Sequence, residues 1–151
     1  MGLQWVSIIE VGACEGTFTQ KLIKLFPNKM IYALEPDEYF YKRLELLNGN
    51  GVKTIKQDCK YVKELFADIL FISNVLYYCE SVPQEIFESH VKYIIVCHDL
   101  RYHKEVLDRE FKKRNFRLIN EKNLDACLES TEEVLCIKYG ANIKVWERIY
   151  E

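Results

Sequence analysis

The sequence predicts one α/β domain in which a mostly parallel sheet carries helices on both faces and is finished by an antiparallel hairpin. Before residue 116, short apolar strand-like runs alternate with helical stretches five times. After residue 116, strand-like runs follow one another with no long helix between them. The length of 151 residues is enough to bury a proper core.

The composition is that of an ordinary globular protein, with 49% hydrophobic and 29% charged residues and a net charge of -2. That charge gives no reason to expect nucleic acid or an acidic membrane as the main partner. The chain holds no apolar run of the ~18 residues that a membrane span needs. Its first residues lack the pattern of a signal peptide. None of the six cysteines forms a C-x-x-C pair, so reduced thiols in the cytoplasm are expected.

The first strand is predicted over residues 5–11, "WVSIIEV", because the run is short, apolar and β-branched. Thr17 is expected to cap the first helix, with Gln20 as its capping-box partner. Pro27 and Asn28 end this helix. Its apolar residues at helical spacing are Phe18, Leu22, Leu25 and Phe26.

A second strand is predicted over 29–34, followed by a helix that Asp37 caps. The inner face of that helix is expected to carry Phe40, Leu44 and Leu47. The "NGNG" run at 48–51 is a loop. A third strand over 52–57 and a short helical piece around 60–66 come next.

A fourth strand is predicted over 68–73 and a short helix after Pro83. A fifth strand follows over 91–98. A longer helix fits 101–115, with Val106, Leu107 and Phe111 facing in. The remaining strand-like runs are 116–124, 132–140 and 142–150, and Gly140-Ala141-Asn142 is the expected turn between the last two.

The stretch "IIEVGACEGTF" at 8–18 runs from the first strand into the first helix through a glycine loop, which usually aims backbone N–H groups at a ligand. A dinucleotide fingerprint counted from Gly12 would need glycines at 14 and 17, where this chain has Cys14 and Thr17. A phosphate P-loop fails as well, since no G-K-[ST] follows.

The pattern acid–x–Gly–x–x–x–Gly, here Glu10, Gly12 and Gly16, resembles motif I of the class I S-adenosylmethionine (SAM) methyltransferases. The resemblance implies SAM as cofactor and a Rossmann-like, doubly wound seven-stranded sheet of order 3-2-1-4-5-7-6. SAM has no pyrophosphate, so a small residue such as Cys14 can stand in the loop. The cofactor-binding residues that follow from the resemblance are Glu10, Gly12, Ala13, Cys14, Gly16, Glu35, Pro36, Asp58, Cys59 and Asn74.

Three later features fall where this family places its cofactor contacts. Glu35 ends strand two, where a carboxylate can accept hydrogen bonds from both ribose hydroxyls. Asp58 follows strand three, where the family has an acid that faces the adenine amino group. The run "SNVLYY" at 73–78 stands at the position of motif IV. "GTFTQKL" and "NVLYY" are most similar to the nodulation-S-type subgroup, which N-methylates small amino sugars.

The resemblance implies methyl transfer to a small molecule at an amine or a hydroxyl. Tyr78, His98 and Asp99 are the candidate catalytic residues, because an imidazole or carboxylate can take a proton from the nucleophile. "NVLY" lacks the two prolines of "[DN]PPY", which disfavours a nucleic-acid base as acceptor. The alternatives are a nucleic-acid methyltransferase and a non-catalytic SAM-fold subunit that binds a partner protein.

The chain departs from the family in two places. "ESHVKY" stands where a Pro-Gly-Gly-type turn usually precedes strand five. Only about four residues precede strand one, where the family has helices that close over the cofactor. The site is therefore expected to be open, or to be covered by a partner subunit or a second copy, unless the natural chain begins earlier.

Each candidate also has a purely structural interpretation. The two motif I glycines can serve packing, Glu10 can hold the loop backbone, and acids or Asn74 can cap helices or turns. Cysteines near one sheet edge are more often buried thiols than metal ligands, so no metal site is predicted. The basic run Arg109, Lys112, Lys113, Arg114 and Arg117 is read as a solvated helix end.

Overall fold

A computed structural model describes residues 7–73, 75–76, 81–99, 105–124 and 141–150, with the backbone alone at 98, 99, 106, 124 and 141. Seven strands form one sheet in the order β3-β2-β1-β4-β5-β7-β6, as predicted. The strands are β1 (Ile8–Val11), β2 (Ile31–Leu34), β3 (Val52–Ile55), β4 (Ile69–Ser73), β5 (Tyr93–Asp99), β6 (Phe116–Leu124) and β7 (Ala141–Arg148). The helices are α1 (Thr17–Leu25), α2 (Glu38–Leu44), α3 (Gln84–Phe87) and α4 (Glu105–Lys113), with 3-10 helices at Glu45–Leu47 and Cys59–Glu64.

The chain divides into two compact units, residues 1–71 with 83–91 and residues 72–82 with 92–151. In the first unit β1, β2 and β3 are parallel neighbours, with Ile8 opposite Ile31 and Ile31 opposite Val52. These three residues and Leu22 of α1 form a buried core cluster. The apolar, β-branched character of the strands is what places them there.

Helix α1 begins differently from the prediction. Gly16, with φ of 92°, is its N-cap, and Thr17 is already helical, so the predicted capping box of Thr17 and Gln20 is wrong. The left-handed glycine turns the chain into the helix one residue before Thr17 could cap it. Leu25 is 68% exposed and does not belong to the buried face, whereas Leu22 is 3% exposed.

Asp37 caps α2 as predicted, because its Oδ1 accepts hydrogen bonds from the N–H groups of Tyr39 at 2.9 Å and Phe40 at 3.3 Å. Leu44 is fully buried, but Phe40 is 37% exposed and does not lie on the inner face. The α-helix ends at Leu44, and the chain continues as a 3-10 helix through Leu47. Leu47 contacts the core.

The second unit holds the hairpin of β6 and β7, with β7 also antiparallel to β5. Phe111 of α4 stacks on Trp146 of β7 at a centroid distance of 5.1 Å, and Leu107 and Phe111 are buried as predicted. The predicted turn is wrong, since Ala141 and Asn142 are strand residues of β7. The strand-like run 132–140 lies outside the described residues, as do 101–104 of the predicted helix.

No helix within the described ranges is both long enough and apolar enough to cross a membrane.

Candidate functional site

The candidate cofactor site lies where the parallel strands β1, β2 and β3 end, at Val11, Leu34 and Ile55. Carboxyl ends of parallel strands meet at one edge of a sheet, and open α/β sheets bind ligands at that edge. The segments that leave β1 and β2 there are the glycine loop 12–16 and residues 35–37.

The glycine loop has a left-handed backbone at Gly12 (φ 73°), Cys14 (φ 51°) and Gly16 (φ 92°). Its N–H groups donate to the chain itself. Those of Gly12 and Ala13 both donate to the Leu34 carbonyl, at 3.0 and 2.9 Å, and that of Gly16 to the Ala13 carbonyl at 3.0 Å. The N–H of Cys14 donates to Glu35 Oε2 at 2.8 Å. These four donors are therefore not aimed at a ligand, contrary to the expectation for such a loop.

Glu35 joins the two loops at this edge. One carboxylate oxygen accepts the Cys14 N–H and the other accepts the N–H of Asp37 at 2.9 Å. The residue is 5% exposed. Each carboxylate oxygen has two lone pairs, so both can accept a further hydrogen bond. The structural role of Glu35 and a ligand contact are thus compatible.

Glu10 lies beneath the loop, 2% exposed. Its Oε2 accepts a hydrogen bond of 2.5 Å from the hydroxyl of Thr19 in α1, so it contacts a helix side chain. Burial raises the pKa of Glu10 to about 7, and the Thr19 hydrogen bond offsets part of that rise. Sequence reasoning missed Thr19, whose only signal is a polar residue on the otherwise apolar inner face of the first helix.

Cys14 is an exposed residue of the loop. Desolvation of its thiol raises its pKa to about 11, with further contributions from the carboxylates of Glu35, Glu10 and Glu15. The thiol is therefore neutral at physiological pH and is a poor nucleophile. Burial is the larger cause of this rise, and the nearby carboxylates add to it.

Gly16 fits the structural interpretation of the motif glycines. A Cβ built at this position would lie 2.5 Å from Leu47 Cδ1 and 3.1 Å from Leu44 Cδ1. On the solvent side, Glu15 Oε2 accepts a hydrogen bond from Arg43 of α2 at 2.8 Å. The loop is thus fixed against α2 by close packing and by an ion pair.

Asp58 and Cys59 follow β3. Asp58 is exposed and caps the 3-10 helix, because its Oδ1 accepts the Lys60 N–H at 2.9 Å. Cys59 is half-buried, and Pro36 is exposed between Glu35 and Asp37.

The structure brings together in its first unit the predicted residues Glu10, Gly12, Ala13, Cys14, Gly16, Glu35 and Pro36. Of the other predicted site residues, Asn74 and Tyr78 lie outside the described residues. His98 and Asp99 end β5, and their backbones pair with those of Asn142 and Ala141. Among the described side chains, no three of the His, Cys, Asp and Glu type are arranged to hold a metal ion.

Comparison with solved structures shows a shared fold. The antibiotic-resistance methyltransferase Kmr matches with a TM-score of 0.73 at 11% identity, over 97% of this chain and 88% of that chain. A Haloferax volcanii complex of the Trm112 methyltransferase activator with a chain assigned as a methyltransferase matches with a TM-score of 0.72 at 10% identity, over 99% and 86%. The plantazolicin methyltransferase BpumL, in complex with a triazolic desmethylPZN analog and SAH, matches with a TM-score of 0.63 at 11% identity, over 95% and 77%.

No protein-family model matches the sequence, and no curated protein matches it significantly. At these identities the likeness establishes the Rossmann-like methyltransferase fold.

Proposed function

We propose that the chain binds S-adenosylmethionine and transfers its methyl group to an amine or hydroxyl of a small molecule. The observation that carries the proposal is the glycine loop, whose N–H groups at Gly12, Ala13, Cys14 and Gly16 are all engaged within the chain. A pyrophosphate needs such donors, whereas SAM has no phosphate and carries a positive sulfonium. The fold is one that SAM-dependent methyltransferases use.

The residues at the sheet edge suit this cofactor. Glu35 would accept the ribose hydroxyls, and the loop from Gly12 to Gly16 would face the methionine part. Asp58, with Cys59 and Pro36 nearby in sequence order at the ends of β3 and β2, would line the adenine side. The Glu35 carboxylate, which contributes to the raised pKa of Cys14, would also favour a cationic cofactor over an anionic one.

When bound, SAM supplies a methyl group on a sulfonium that is already a strong donor. The chain then mainly has to align the nucleophile with that methyl group, a proximity effect worth up to about 7–11 kcal/mol in favourable cases. An amine nucleophile must be neutral to attack. We assign proton removal to His98 or Asp99 and acceptor positioning to Tyr78. Because Cys14 is a neutral thiol, it would not compete for the methyl group.

The experiment that tests the activity uses SAM with a radioactive methyl group. The chain is incubated with the small-molecule fraction and, separately, with the RNA fraction of a cell extract. We expect label in the small-molecule fraction, and loss of that label in His98→Ala or Asp99→Asn. Label confined to RNA would contradict the small-molecule acceptor and support a nucleic-acid methyltransferase.

A second candidate is a SAM-fold subunit that acts through a partner protein. The observation that favours it is the Haloferax volcanii structure, in which a chain of this fold is held with a methyltransferase activator. On this alternative a partner, or a second copy, covers an open cofactor site. It predicts SAM binding with no labelled product in either fraction until the partner is added.

A further inference from the structure

A polar cluster lies on one face of the β6–β7 hairpin, in the second unit. Trp146, Lys144 and Asn142 alternate along β7 and are 1%, 4% and 4% exposed, so they share a buried face. On β6, Glu121 is opposite Lys144 and Asn123 is opposite Asn142. Along this face the side chains change from apolar at Trp146 to charged and then to amide at Asn142.

The charged layer is internally paired. The Lys144 ammonium forms an ion pair with Asp108 of α4, and it lies 3.7 Å from Glu121 Oε1. Its side chain is 5% exposed. One buried ammonium is therefore placed between two carboxylates, and neither a cation nor an anion could enter this layer without meeting a like charge.

The Asn142 amide is held in one orientation. Its Nδ2 donates to Glu121 Oε1 at 2.9 Å and to Asn123 Oδ1 at 2.8 Å. Turning the amide over would set its oxygen against these two acceptors, so the orientation follows from the partners. Within the described residues, the Asn142 Oδ1 atom is buried and has no hydrogen-bond partner. Leaving a buried acceptor without a hydrogen bond is costly, and native chains rarely do so.

We propose that Asn142 Oδ1 is the recognition atom of a subsite for a neutral hydrogen-bond donor, a hydroxyl or an amide N–H of a small polar molecule. The orphan oxygen requires a donor. Burial and the Lys144 ammonium, which shares Glu121 with Asn142, make a neutral donor less costly to place than a cation. Glu121 and Asn123 are exposed side chains, so the contacts around Asn142 can open by rotamer changes.

The subsite does not depend on SAM binding, so it can be tested without the cofactor. The first test is NMR of the ¹⁵N-labelled full chain, following the Asn142 side-chain NH₂ signals. The chain is titrated with ethylene glycol and with acetamide. Their capped counterparts, 1,2-dimethoxyethane and N,N-dimethylacetamide, have no donor and are the controls. We expect saturable shifts at Asn142 with the donor probes alone.

Saturation by ethylene glycol but not acetamide identifies a hydroxyl, and the reverse identifies an amide N–H. Equal shifts with the capped probes, or shifts that match those of the exposed Asn120, would overturn the proposal. So would an absence of saturable shifts, which is the result expected if a structural water alone satisfies the oxygen.

The second test uses variants. Asn142→Leu keeps the shape and removes the amide, and Asn120→Leu is the matched control on the exposed part of β6. In the wild type and in Asn120→Leu, the Tm measured with the donor probe should be higher than the Tm measured with its capped counterpart. In Asn142→Leu the two Tm values should be equal. An equal rise in Asn142→Leu would contradict the assignment. If Asn142→Leu does not fold, the wild-type NMR titration decides.

Discussion

Glu35 holds two loops together through its carboxylate, and on the proposed function its remaining lone pairs would accept the ribose hydroxyls of SAM. Replacing it with Gln should weaken SAM binding about 5- to 150-fold, equivalent to about 1–3 kcal/mol, since the amide NH₂ cannot accept from the backbone or the ribose. Calorimetry measures the affinity of Glu35→Gln for SAM and compares it with that of the wild type. The control is Glu38→Gln, an exposed acid at the start of α2 whose carboxylate pairs with Lys42 and Lys56. Unchanged affinity in Glu35→Gln would remove this residue from the site.

Glu10 makes folding depend on pH. Burial raises its pKa from 4.5 to about 7, so between these values the folded state holds a proton that the unfolded state has lost. The stability contributed by the protonated carboxyl is therefore fully present below about pH 4.5 and lost as pH rises through about 7. The loss amounts to about 3–4 kcal/mol at most.

Urea denaturation at several pH values between 5 and 8 tests this expectation. The wild type should lose stability as pH rises, and Glu10→Gln, which does not titrate, should lose less. Parallel pH profiles for the two proteins would show that Glu10 does not titrate in this range.

The sequence predicted site roles for Glu10 and Glu35 because acids at strand ends follow the motif spacing. It could not identify their partners. Thr19 bonds to Glu10 because the pitch of α1 brings that hydroxyl back over β1, and the Cys14 N–H reaches Glu35 because Cys14 adopts a left-handed backbone. Both contacts depend on tertiary geometry.

At the scale of elements, Gly16 sets the distance between the glycine loop and α2. Gly16→Ala adds a Cβ that would approach Leu47 and Leu44, and it also strains a φ of 92°. Gly49 is the matched control, since its φ is 115° and a Cβ there would meet nothing within 4 Å. We expect Gly49→Ala to cost about 1 kcal/mol from backbone strain alone, and Gly16→Ala to cost about 1–3 kcal/mol more from overpacking. Chemical denaturation measures the free energy of unfolding of both variants. Equal losses in the two variants would mean that the Leu44 and Leu47 side chains move aside without a measurable loss of stability.

Element boundaries show where sequence patterns are weak. The turn signal at Gly140-Ala141-Asn142 was misleading, because pairing of β7 with both β5 and β6 extends the strand through Ala141 and Asn142. Leu25, the last residue of α1, and Phe40, in the first turn of α2, fit a helical period but are exposed. Periodicity identifies an element, but its ends are set by the neighbours against which it packs.

At the scale of the whole molecule, the order of the seven strands was predictable because alternating strands and helices allow few topologies, and the motif I resemblance selects one of them. The prediction of a single domain remains a prediction. The acceptor could not be predicted, because proteins of this fold act on different molecules. Function is set by side chains on loops, and the shared sheet does not specify them.

On the proposed function, the glycine loop and Glu35 form a SAM site and not a dinucleotide site. Calorimetry of the full chain with SAM, with S-adenosylhomocysteine and with NAD⁺ distinguishes the two kinds of site. We expect saturable binding of SAM and S-adenosylhomocysteine at or below millimolar concentration and no binding of NAD⁺. Binding of NAD⁺ with comparable affinity, or no binding of either SAM compound at millimolar concentration, would contradict it.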